Sequence, residues 1–255
     1  MSSQDFAAAV AVELPRLRRA AWRIAPAGVD PDDLVQDVLE RAWRSRGSFR
    51  ADALLSTWLH RILLNRARDL ARKIRPGGAM PEEGALEALT VDDPAGVIGR
   101  SEDRDRLRQA LSLLSVDDRM VLVLHDGEEW TAGQISTLTG WSVASVYKRL
   151  QRARLRLVQA LSESTGFIQR QSRECRDARG MLGPYFDGAL EQQAVQVVDS
   201  HLLHCNHCPP LAQAMLGLRA ALARAEDAPE ISARLSGSLA LLRQEASSLR
   251  DRDGP

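Results

Sequence analysis

Apolar residues in this chain recur at the spacing of helices, not strands. In the first block Leu34, Val35, Val38, Leu39, Ala42 and Trp43 repeat along one face of a helix, while Asp33, Gln36, Asp37 and Glu40 fall on another. Asp30-Pro31-Asp32-Asp33 marks where that helix starts. Asp30 can cap it, Pro31 suits the first helical position, and the acids complement the dipole. After a turn at Gly47-Ser48, a second helix carries Trp58, Leu59, Ile62 and Leu63 inward. Arg61, Asn65, Arg68 and Arg72 then line a single stripe at i, i+4, i+7 and i+11. That stripe fits either a solvated face or one that meets nucleic acid.

A second helical block spans about Ser101 to Leu161. The pattern predicts one helix over Asp117 to His125 and a shorter one over Thr131 to Thr139. Gly140-Trp141 makes a turn, and Ser142 caps a long third helix. A short helix, a Gly-containing turn and a capped basic helix form a helix-turn-helix pattern. Val146, Leu150, Ala153 and Leu157 make the buried row of the third helix. Ser145, Lys148, Arg149, Arg152 and Arg156 turn away from it, placed to enter a major groove and grip its phosphates. An ordinary helical hairpin with a basic exterior is the alternative.

The third block begins near Ser172 and holds every cysteine: Cys175, Cys205 and Cys208. With His201 they form the pattern C-x25-H-x3-C-x2-C. His201 and Cys205 lie one turn apart at a helix end, Cys208 follows in the next turn, and Cys175 can close a tetrahedron from another helix. Three thiolates and one imidazole make a complete structural shell for one Zn²⁺. Small buried residues brought together by chance are the alternative. His204 and His207 read as surface residues in the same stretch, either of them able to extend or replace a ligand.

Composition agrees with an all-α chain. Ala, Leu and Arg dominate, aromatics make up 4% of the 255 residues, and no long Val/Ile/Thr alternation is present. The formal net charge is zero, with 34 basic and 34 acidic residues, but it is unevenly spread. Residues 1–80 and Leu150 to Arg156 are rich in Arg, and Glu82 to Asp93 is acidic, so local basic stripes remain available to phosphates. No segment is apolar enough to span a bilayer, and no basic n-region precedes the apolar run at the start, so no membrane association is expected. An odd cysteine count fits metal binding in the cytoplasm better than a secreted disulfide framework. No phosphate loop or nucleophile constellation is present, and the metal shell has no open position, so the chain does not read as an enzyme.

These residues together resemble the extracytoplasmic-function (ECF) sigma factors. The run from Asp30 to Trp43 looks like that family's region-two helix. Phe49-Arg50, Thr57 to Ile62 and Asn65 to Asp69 look like its promoter-melting segment, and Leu114 to Leu161 resembles region four. The third block resembles the zinc-binding anti-sigma domain through Cys175, Leu182, Tyr185-Phe186-Asp187-Gly188, Leu190, Glu191, His201-Leu202, Cys205 and Cys208, with Leu211 to Ala225 fitting the helix that follows.

The resemblance implies two small helical sigma domains and a small helical zinc-binding domain. Its boundaries are region two at 1–78, a linker at 79–100, region four at 101–165, the zinc module at 172–225, and a C-terminal helix and tail at 226–255. It also implies partners and roles. Asp33, Gln36, Asp37 and Glu40 would dock on core RNA polymerase. Phe49, Arg61, Asn65, Arg68 and Arg72 would engage the downstream promoter element, and Ser145, Lys148, Arg149 and Arg152 would read the upstream promoter DNA. A fused anti-sigma-like module implies intramolecular contact with the sigma domains and control in cis. A structural or activating extension, or a helix-turn-helix regulator acting without polymerase, are the competing readings. The chain departs from the family at Tyr147, where a basic residue is common. It departs again at Gly133, Ser136 and Thr139, which weaken the second helix of the block. Both imply a less stable region four or an atypical recognition sequence. After Pro229, Ile231, Leu235, Leu239 and Leu242 predict one more amphipathic helix, with Gly237 in its middle.

Overall fold

A computed structural model describes residues 2–49, 54–74, 101–161 and 172–224, together with 235–237, 240–241 and 244; residues 101–106 are described in backbone only. The described residues are helical, with no strand among them. The expected linker at 79–100 lies outside them, as do Ile231, Leu239, Leu242 and the tail beyond Ser248. The chain divides into two compact units. The first comprises Met1–Gly78 with Glu226–Pro255, the second Ala79–Ala225.

The first unit packs three helices together: α1 (Ser3–Ile24), α2 (Pro31–Arg44) and α3 (Leu55–Ile74). Helix α1 is the element that periodicity did not predict. Its start is nonetheless encoded by a capping box, in which Ser2 accepts from the Asp5 amide and Asp5 accepts from the Ser2 amide. Helix α2 starts as expected, with Asp30 Oδ1 accepting from the Asp32 amide at 2.8 Å and Pro31 at the first position. Leu14, Leu17, Leu34, Val38, Leu59 and Leu63 fill the core between the three helices. Burying each such side chain stabilises the unit by about 1.5–3 kcal/mol. Phe6, Trp43, Phe49 and Trp58 close one end as an aromatic cluster, with Phe6 edge-on to Trp58 at 6.0 Å between ring centroids. In the C-terminal segment of this unit Leu235 is buried, whereas Gly237 and Leu241 are exposed.

The second unit contains α4 (Ser101–Ser112), α5 (Val116–Leu122), α6 (Ala132–Thr139), α7 (Val143–Leu161), α8 (Arg173–Phe186), α9 (Gln192–His204) and α10 (Cys208–Arg224). Helix α5 runs on into a π-helical turn over Val123–Gly127, so the predicted helix to His125 ends in a widened turn. Glu129 follows at φ 58°, a left-handed conformation that suits glycine. Helix α6 is better anchored than its composition suggests. Thr131 and Gln134 form a reciprocal capping box, and Gly140 ends the helix at φ 77°. Ser142 Oγ accepts from the Ser145 amide at 3.2 Å and starts α7, as its sequence predicts.

Val146, Leu150, Ala153 and Leu157 of α7 are fully buried against α5. Helices α8 and α10 pack on α7 as well, and α10 also covers the π-helical turn. The segments expected as the domains 101–165 and 172–225 therefore share one compact unit.

Candidate metal centre and nucleic-acid interface

Cys175 sits in the first turn of α8, where its amide donates to Ser172 Oγ at 3.2 Å. His201 occupies the last turn of α9. Cys205 ends that helix, its amide bonded to the His201 carbonyl at 2.9 Å, and Cys208 opens α10. The four candidate ligand atoms all lie within 4.8 Å of one another. Cys175 Sγ and Cys205 Sγ are 3.7 Å apart, and His201 Nε2 is 3.3 Å from Cys208 Sγ. A tetrahedral Zn²⁺ with Zn–S bonds of about 2.3 Å requires sulfur–sulfur edges of about 3.8 Å, so the donor set fits such an ion.

Electrostatics act on the two neighbouring thiols in opposite directions. Burial works against ionisation of Cys205, but the amides of His207 and Cys208 and the Cys175 thiol overcome it and hold its pKa down. Cys208 is pushed up, chiefly by burial, with Arg179 working in the opposite direction. His204 and His207 are exposed and stand outside the cluster. His204 Nδ1 lies 2.8 Å from the Ser200 carbonyl, and the His207 amide donates to Cys205 Sγ at 3.4 Å.

The module's other polar centre is Asp187, at the C-terminal end of α8. Arg219 of α10 pairs with it at 3.1 Å. From the helix-turn-helix, His125 Nε2 lies 2.9 Å from the same carboxylate, and burial together with that carboxylate's charge holds the Tyr147 hydroxyl's pKa up. Behind His125, Nδ1 is 2.8 Å from Asp126, and the buried Arg154 donates its Nε to Asp126 at 2.9 Å. Burial alone would lower the His125 pKa, but the hydrogen bonds and charges of Asp126 and Asp187 more than offset it and raise it.

Gly183 of α8 faces the same network: a Cβ there would stand in ordinary contact, 3.4 Å from Arg154 Nη1 and 3.6 Å from Tyr147. The departure of Tyr147 from the family pattern thus has a tertiary use, since the ring and hydroxyl face the third block. Sequence reasoning missed this network because His125 and Asp126 belong to no short motif, and the runs that hold Arg154 and Asp187 carry no sign of the distant partners these residues meet.

The recognition-helix residues occupy a different stripe of α7. At about 100° per residue, Tyr147 and Arg154 share one side while Ser145, Lys148, Arg149 and Arg152 share another. Lys148 and Arg152 are exposed. Arg149 and Arg152 converge on the buried Asp118 of α5: Arg152 donates Nε at 2.9 Å and Nη2 at 2.7 Å, and Arg149 donates Nη1 at 3.1 Å. Arg149 also stacks over Trp141, 4.1 Å from the ring centroid. Ser145 Oγ is 2.9 Å from Ser142 Oγ.

In the first unit, Arg61, Asn65 and Arg72 are exposed along α3, with Arg68 half-buried beside them. Arg72 pairs with Asp69 at 3.2 Å. Phe49 packs on Trp58 at 5.5 Å, and residues 50–53 beyond it lie outside the described residues. On α2, Asp33 is exposed and Gln36, Asp37 and Glu40 are part-buried. Asp37 accepts from Arg66 Nε at 2.6 Å, and Glu40 pairs with Arg44 at 3.0 Å. No described helix is long and apolar enough to cross a membrane.

Residues 10–76 match the family Sigma-70 region 2, and residues 104–157 match Sigma-70 region 4. Residues 175–208, bounded by the first and last candidate ligands, match a zinc-finger family. The chain is 32% identical over 149 residues to the ECF RNA polymerase sigma factor SigM of Mycobacterium tuberculosis, an alignment covering 58% of this chain and 71% of SigM. It is 31% identical over 176 residues to SigG of the same organism, covering 60% of this chain and 48% of SigG. Bacillus subtilis RNA polymerase sigma factor YlaC is 30% identical over 137 residues, covering 52% of this chain and 78% of YlaC.

Proposed function

Because this chain belongs to the extracytoplasmic-function family of RNA polymerase sigma factors, we propose that it directs core RNA polymerase to promoters under the control of its own C-terminal zinc module. In this reading Asp33, Gln36, Asp37 and Glu40 dock on the core enzyme. Phe49, Arg61, Asn65, Arg68 and Arg72 engage the downstream element, and Ser145, Lys148, Arg149 and Arg152 read the upstream one. Zn²⁺ bound to Cys175, His201, Cys205 and Cys208 would cross-link the ends of α8, α9 and α10.

Regulation in cis rests on Asp187, through which the module holds His125 and Tyr147 of region four. The module grips the Tyr147 and Arg154 side of α7, so control acts through the region-four surface under α8 and α10 and leaves the DNA-reading stripe uncovered. Such a clamp regulates if polymerase binds the released form more tightly than the clamped one. A structural role for the module is the second reading, favoured by the shared unit over 79–225.

Promoter-dependent transcription with bacterial core polymerase on a genomic template pool separates them. The chains compared are the full protein, Asp187→Asn, and a truncation after Ser164. Regulation in cis predicts that Asp187→Asn initiates more strongly than the full chain with its helical content unchanged. The structural reading predicts that Asp187→Asn initiates like the full chain and that the truncation loses activity together with the fold of region four. Failure of all three chains on every template would overturn the promoter-directing role.

A further inference from the structure

We propose that Arg179 is a positioning residue of the metal centre, supplying its counter-charge and orienting Cys208; this rests on the zinc-site reading above. Arg179 stands one turn after Cys175 on α8, is 3% exposed, and donates its Nε to Cys208 Sγ at 3.4 Å. Its Nη1 is also buried and has no hydrogen-bond partner, and no carboxylate among the described residues pairs with it. A guanidinium remains charged at all working pH values, and burying one without a compensating anion is costly. Two other buried arginines meet a carboxylate, Arg154 with Asp126 and Arg18 with Asp32, while the buried Arg119 donates to the Ser112 and Leu114 carbonyls instead. At Arg179 the anion is the thiolate shell.

The charges balance. Three thiolates and a divalent cation leave one negative charge, and Arg179 supplies one positive charge at a ligand sulfur. Its position also answers a geometric need. Cys208 opens α10, whereas Cys175 and Arg179 share a face of α8 at i and i+4. The Nε–H···Sγ bond therefore links the two helices at the ligand itself and fixes the direction of the sulfur, as partners behind the ligands do in other metal sites.

The test uses the full chain with Co²⁺ and Zn²⁺ as probes. Wild type, Arg179→Lys (charge kept) and Arg179→Gln (hydrogen bonding kept, charge removed) are titrated with Co²⁺, followed by the thiolate-to-cobalt charge-transfer band, and then with competing Zn²⁺. Arg179→Gln should bind both ions about 10–100-fold more weakly, and Arg179→Lys should recover part of the loss. At saturating Co²⁺ the band of Arg179→Gln should move to lower energy, because a sulfur that loses a nearby cation gives up its electron more easily. A purely structural role would not produce that shift with the helices intact by circular dichroism. Lys, Gln and wild type binding Co²⁺ with equal affinity and the same band position would overturn the assignment of Arg179. No Co²⁺ or Zn²⁺ binding by wild type would instead overturn the metal-site reading beneath it.

Discussion

His125 of the helix-turn-helix and Asp187 of the zinc module stand 2.9 Å apart, sixty-two positions apart in the chain, and join the two segments within one unit. Asp187 is 11% exposed and His125 4%, so this pair is largely screened from water. Asp187→Asn should therefore lower the stability of this unit by on the order of 2 kcal/mol. Urea unfolding followed by circular dichroism measures it. An unchanged midpoint would mean that apolar packing of α10 alone holds the module.

The same pair makes the contact pH-sensitive. The His125 pKa is raised above its ordinary 6.5. Its contribution is therefore fully present below that value and lost as pH rises through the higher folded value. Asp126 and Asp187 are shifted down, so their contribution is present above the usual carboxylate range and lost as pH falls through their lower folded values. The urea midpoint of the full chain should fall as pH is raised from about 6 to about 9. In His125→Gln that slope should flatten, and an unaltered slope would assign it to other groups.

Asp118 holds Arg149 and Arg152 in place, and its carboxyl is kept below the usual carboxylate range: burial raises it, and the two guanidinium groups more than reverse that. Asp118→Asn should free both arginines toward phosphates. Binding to random duplex DNA should tighten, and its salt dependence should steepen. Fluorescence anisotropy at two salt concentrations reads this out. Unchanged affinity would show that the arginines reach DNA without leaving Asp118.

Glu129 holds a left-handed backbone at φ 58°. Glu129→Gly relieves that strain against some gain in unfolded-state entropy and should stabilise the unit by on the order of 0.5–1 kcal/mol. A calorimetric scan should show a higher Tm, whereas Glu129→Ala should show no gain.

Removing the metal with a chelator, or replacing Cys175 by Ser, should loosen α8 through α10, since their ends would then be held by packing and by contacts such as Tyr185 to Asp199 at 2.6 Å instead of a shared ion. Hydrogen exchange over residues 173–224 measures it. Protection equal to that of the metal-loaded chain would show that apolar packing alone orders the module.

Most helices were legible locally. The Asp30-Pro31 start, the Ser142 cap and the Gly140 turn each act within one turn of chain, so sequence and structure agree on α2, α6 and α7. Helix α1 escaped because Pro15 interrupts its apolar pattern, although the Ser2–Asp5 capping box was readable. The cluster of Cys175, His201, Cys205 and Cys208 was legible too, since three of the four lie within eight residues and thiol and imidazole groups at that spacing are a specific pattern.

By itself, then, the sequence determined helix positions, the family and which four residues are candidates to hold a metal, all of which follow from local spacing and residue chemistry. Only the tertiary structure decided what each charged side chain serves. From residue type, Arg149, Arg152 and Arg154 look alike on a basic helix, and spacing says only that Arg154 lies on another side. Packing gives the first two to Asp118 and buries the third with Asp126 beneath the zinc module. These partners are 28–34 residues away along the chain. A long side chain's direction is set by which carboxylate a neighbouring helix brings within reach, and helical periodicity carries no record of that.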